Sequence, residues 1–65
     1  MKDYFVYERM TTVFGDEYDE LVEVVTARTK QSAVNKAYAN NKVKGGDVVP
    51  PYRRQKENFW ATPVW

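Results

Sequence analysis

The chain has 65 residues with no cysteine and no histidine, which excludes disulfides, thiolate zinc sites and imidazole ligands together. A chain this short forms one domain at most, residues 1–65, and hides only about 60% of the surface its unfolded form exposes, so a compact fold or a partner must supply its stability. The net charge of +1 covers an asymmetry: residues 1–23 hold seven acids against Lys2 and Arg9, net −5, and residues 24–65 are net +6.

Tyr4 to Phe14 is dense in aromatic and β-branched residues, which predicts a first strand. Gly15 to Glu20 is polar, with a glycine able to take positive φ, and reads as a loop. Leu21 to Arg28 is a second strand, so residues 3–28 form an antiparallel hairpin. On strict alternation, Tyr4, Val6, Met10 and Phe14 share one face of the first strand, with Phe5, Tyr7 and Val13 on the other. On the second strand, Val22 and Val24 oppose Leu21, Val25 and Ala27. Neither strand alternates cleanly between apolar and polar, so both faces of the hairpin call for cover.

Thr29 is placed to cap a helix over residues 30–42, with Ala33, Val34, Ala37 and Tyr38 forming its apolar stripe. The Asn40-Asn41 pair and Gly45-Gly46 offer left-handed positions where it can end. A helix of about twelve residues is marginal alone in water, so it must pack on the hairpin. Residues 47–65 form an extended tail. Val48-Val49-Pro50-Pro51-Tyr52 predicts an extended connector, because two prolines remove donors and fix φ. Phe59 to Thr62 can add a short third strand. The expected fold class is α+β, β-β-α-β. One short helix covers one face of the hairpin, and the other is left to the C-terminal aromatics or to a second subunit.

No nucleophile elbow, phosphate loop, dinucleotide fingerprint or zinc-protease motif occurs, and no catalytic residue, metal ligand, cofactor or small-molecule substrate is expected. Nor is a membrane partner, because no stretch approaches the roughly 18 apolar residues of a membrane span. With no apolar block of signal-peptide length at residues 1–14, the chain reads as cytoplasmic.

Three groups of residues are candidates for binding. Tyr52, Phe59, Trp60 and Trp65 are aromatic anchors suited to a protein partner or to a second copy of the chain. Trp60 is expected to be structural and Trp65 the more exposed of the two. Arg53, Arg54 and Lys56, interleaved with the tail aromatics and extended by Arg28, Lys30 and Lys36 if the tail folds back beside the helix, suit single-stranded nucleic acid, whose phosphates need cations and whose bases stack on rings. Asp16, Glu17, Asp19 and Glu20 form an acidic loop that either steers a basic partner or simply keeps the hairpin solvated. The charge asymmetry has two readings as well, a basic binding face or two halves that attract one another within the fold. In outline the chain resembles small hairpin-plus-helix proteins of phages and mobile elements, which bind and modify host factors. The resemblance rests on size and layout and carries no functional residues. A non-enzymatic protein-interaction module is the expected function, with nucleic-acid binding the alternative.

Overall fold

The structure, a computed structural model, describes residues 1–45 and 52–65. It is an α+β fold built on the hairpin of β1 (Lys2–Thr11) and β2 (Glu17–Ala27), followed by helix α1 (Lys30–Asn40). Two short strands, β3 (Val43–Lys44) and β4 (Tyr52–Arg53), pair with each other, and a single 3₁₀ turn (Lys56–Asn58) leads into β5 (Phe59–Pro63). β5 is the expected third strand. It pairs antiparallel with β1 on the side away from β2, giving the order β2-β1-β5. The Val48 to Pro51 part of the expected connector lies outside the described residues.

The hairpin turns earlier than the sequence suggests. β1 stops at Thr11, and the Thr12 hydroxyl accepts from the N–H groups of Phe14 (3.3 Å) and Asp16 (3.1 Å). Backbone bonds from Thr12 to Asp16 and from Gly15 to Thr12 close the turn, with Gly15 at φ 87°. A threonine side chain competing for local N–H groups thus takes Val13 and Phe14 out of the strand and leaves both almost fully exposed at the tip. On the return, the segment from Glu17 to Glu20 is strand rather than loop, because it finds partners along β1 from Thr11 to Glu8. The ion pair of Arg9 with Asp19, directly opposite one another, favours this register.

Helix α1 begins as expected: Thr29 is in extended backbone and its hydroxyl accepts from Ser32 N–H at 3.1 Å. It ends at Asn40 without a left-handed residue. Asn41 caps it at φ −136°, its backbone N–H bonded to Tyr38 O and its side-chain Nδ2 donating to Ala37 O at 2.9 Å. An amide side chain here satisfies a terminal carbonyl that a left-handed glycine would otherwise leave to the backbone.

The core lies between α1 and one face of the sheet. Ala33, Val34 and Ala37 of the helix meet Tyr4 and Val6 of β1, Val25 and Ala27 of β2, and Phe59 and Ala61 of β5. The alanines admit close approach, and the ring of Tyr38 meets that of Phe59 edge-on at 5.6 Å. Among the described residues, no helix is long and apolar enough to cross a membrane.

Candidate protein-interaction face

One irregularity decides which side chains share the second face of the sheet. Val6 pairs with Glu23 and Tyr7 with Leu21, so β2 carries an extra residue at Val22. This is a β-bulge, which advances the alternation of one strand by a residue. Beyond it toward Ala27, Val24 and Thr26 point away from the helix; before it, Leu21 and Asp19 do. Val22 is returned to the helix side, where it packs on the core, and Glu23 there accepts from Asn41 Nδ2 at 3.2 Å. Strict alternation puts Val22 with Val24 and Leu21 with Val25. The bulge reverses both pairings.

The face opposite the helix therefore has an apolar centre. Phe5 lies between Val24 and Thr62, and Tyr7 between Leu21 and Trp60. The rings of Tyr7 and Trp60 stack at 4.7 Å, with Phe5 at 6.3 Å from Tyr7. Leu21 and Val24 are each 50% exposed and Trp60 37%. Polar pairs bound this patch at its two ends. At one, Thr26 Oγ1 donates to Asp3 at 2.6 Å. At the other, Asp19 Oδ1 accepts from the Trp60 indole N–H at 2.9 Å and stands 3.8 Å from Arg9 Nε. The C-terminal strand extends this face at its edge and does not cover it. An apolar centre with a polar rim is the usual anatomy of a protein interface.

The tail aromatics go to different places. Phe59 is buried against the helix and Tyr38, so it is a core residue and not a partner anchor. Trp60, next along the strand, falls on the open face, and Tyr52 lies on β4, outside the main sheet. Trp65 follows the end of β5 and is 90% exposed, the more open of the two tryptophans.

The cations disperse as well. Arg54 is half-buried, with Nε 3.2 Å from Glu8 Oε1. Both side chains are withdrawn from water, and Glu8 is the one buried polar or charged residue among those described. The approach misses hydrogen-bond geometry, and among the described residues Arg54 Nη1 has no hydrogen-bond partner. Arg54 is thus an internal counter-ion and not a phosphate contact. Lys36 donates to Thr26 O at 2.9 Å. Lys56 lines a shallow groove with Gln31, Val34, Glu57 and Phe59, on the helix side. Arg28, Lys30 and Arg53 are exposed.

The acidic group is split by strand alternation. Asp16 is in the turn and Glu17 starts β2. Asp19 serves the open face, and Glu20 turns to the helix side and pairs with Lys44. Among the described residues, no group of acids is placed to hold a metal ion.

Phe5, Tyr7, Leu21 and Val24 form most of the open face and lie outside the aromatic tail that the sequence points to. Their uncovered state is legible as two-sided apolar strands, but their grouping depends on the bulge. No family model, curated protein or solved structure matches this chain.

Proposed function

We propose that this protein is a non-enzymatic, cytoplasmic protein–protein interaction module that docks its partner through the uncovered sheet face. The carrying observation is that Phe5, Tyr7, Leu21, Val24 and Trp60 lie side by side on the face that the helix and the C-terminal strand both leave open. A patch of this kind is costly to leave in water and supplies binding free energy when it is covered, at about 25 cal/mol for each Å² of apolar surface removed. The two polar ends add direction, since a partner must match Asp3 at one and Arg9 with Asp19 at the other.

Nucleic-acid binding has less support. Arg53 and Lys56 remain exposed, but Arg54 is committed to Glu8 and Lys36 to the backbone of Thr26. The stacked ring pair lies on the open sheet face, where the cation Arg9 is already paired with Asp19, away from Lys56. Single-strand binding needs rings and cations on one surface.

Affinity capture with tagged wild type, Leu21→Arg and Val43→Arg tests the proposal. Val43 is exposed to a similar degree but belongs to β3, so its variant controls for a charge added elsewhere. A partner held by wild type and Val43→Arg and lost by Leu21→Arg supports the reading. Equal capture by all three overturns it.

A further inference from the structure

We infer that the occupant of the open face is a second copy of this chain, packed sheet against sheet with its strands running antiparallel to those of the first. The inference rests on the docking role proposed for this face and adds the identity and orientation of the partner.

Charge selects the orientation. Two stacked sheets related by a twofold axis admit two arrangements. With the axis parallel to the strands, like ends meet, so Arg9 lies over Arg9 and Asp3 over Asp3, two repulsive contacts. With the axis across the strands, each Arg9 lies over Asp3 of the other copy, and the contact occurs twice by symmetry. Asp19, already bonded to the Trp60 indole, then lies over Thr26. The face carries Asp3, Asp19 and Glu17 against Arg9, a net of −2, and the two Arg9–Asp3 contacts of the crossed arrangement offset the repulsion between copies.

Shape agrees with the second arrangement. Tyr7, Leu21 and Trp60 occupy one level across the three strands, and Phe5, Val24 and Thr62 the level two residues along β1. Reversing one copy lays the first level over the second. Leu21 then meets Val24, Tyr7 meets Phe5, and the large indole of Trp60 meets the small Thr62. Bulk is set against a smaller group at the β5 edge, which lets the two sheets close to the usual spacing of about 10 Å with the ordinary offset of about 30°. The parallel-axis arrangement gives no such match.

Size also fits. Three strands at about 4.8 Å spacing, over the roughly 20 Å from Asp3 to Arg9, present about 300 Å² of sheet in projection. Side-chain relief raises the accessible area covered to on the order of 500 Å² per copy, or about 1,000 Å² in all, the lower limit for a specific interface. A weak dimer follows, half-formed at roughly micromolar to tens of micromolar chain. The edge of β2 is a poor alternative route to self-association, because Glu17, Asp19, Glu20 and Glu23 of two copies would be brought together.

Sedimentation equilibrium over a range of chain concentrations tests this, with circular dichroism showing that each variant is folded. The proteins are wild type, Leu21→Arg, Arg9→Asp, Asp3→Arg and the double variant Arg9→Asp/Asp3→Arg. Expected is a wild-type dimer, at least tenfold weakening in Leu21→Arg and in each charge reversal, and recovery of most of the loss in the double variant. Wild type that stays monomeric at several hundred micromolar overturns the second-copy inference alone, and the capture comparison then decides whether a different protein uses the face. Dimerisation unaffected by Leu21→Arg places the dimer contact elsewhere and overturns the inference, and the capture comparison again decides the docking role of the face. A dimer that Leu21→Arg abolishes but the double reversal does not restore overturns the antiparallel packing.

Discussion

Arg54→Ala should cost this fold about 3–5 kcal/mol, roughly a third or more of its stability. Glu8 is 2% exposed on the helix side of β1, and the guanidinium of Arg54 is the cation beside it. Removing the arginine leaves a carboxylate withdrawn from water with no compensating charge, a change that costs about 3–5 kcal/mol. At roughly 0.05–0.15 kcal/mol per residue, a chain of this length holds about 3–10 kcal/mol in total. The variant is therefore expected to unfold at a much lower urea concentration than wild type, and to be unfolded outright at about 25 °C if the total lies at the low end of that range. Replacing both members tests the reasoning further. Among the described residues, Arg54 Nε and Nη1 and Glu8 Oε1 find no hydrogen bond, so the pair does not recover the full cost of dehydrating two charges. Glu8→Leu/Arg54→Leu should consequently match or exceed wild type, as buried pairs replaced by apolar groups often do, by up to about 4 kcal/mol.

The assay is urea unfolding followed by circular dichroism at one fixed chain concentration, with the two single leucine variants completing a thermodynamic cycle. A coupling energy above about 2 kcal/mol is expected for charges in direct contact. A loss below about 1 kcal/mol in Arg54→Ala would show that Glu8 is reached by water and refute the argument. So would a double variant as unstable as the single, which would point to lost packing in place of lost charge.

Thr29→Ala should destabilise by about 1 kcal/mol through loss of the bond from Ser32 N–H, lowering the midpoint of thermal unfolding by roughly 4–8 °C. An unchanged midpoint would mean that packing alone fixes the start of α1. Titration with mixed single- and double-stranded oligonucleotides, read by tryptophan fluorescence, should give no saturable, salt-sensitive quenching. Quenching that saturates at low salt and weakens steeply as salt rises would favour nucleic acid over a protein partner.

Local signals carried most of the fold. The aromatic and β-branched runs became β1 and β2, Thr29 capped α1, and Ala33, Val34, Ala37 and Tyr38 formed the helix stripe. Phe59 to Thr62 joined the sheet as its third strand. What composition left open was the meaning of the charge asymmetry. Two ion pairs, Glu8 with Arg54 and Glu20 with Lys44, join the acidic first part of the chain to the basic second part. At least part of the asymmetry is thus attraction within the fold. Partners 24 and 46 residues apart leave no local trace in the sequence, which is why Arg54 looked like a phosphate contact.

The same reasoning explains why the binding face was harder to read than the core. A strand's two faces follow from alternation only while the count is unbroken, and a single extra residue reverses it for everything beyond. No glycine or proline flanks Val22 and Glu23 to announce such a break. Their environment supplies the reason: Val22 reaches the core and Glu23 the end of the helix at Asn41, so both gain by turning inward. The bulge satisfies both, and the consequence falls on the opposite face, where Leu21 and Val24 become neighbours across Tyr7 and Phe5. The apolar patch proposed to bind a partner is thus tied to the way the core is closed. Changing Val22 or Glu23 should disturb the patch without touching any residue in it.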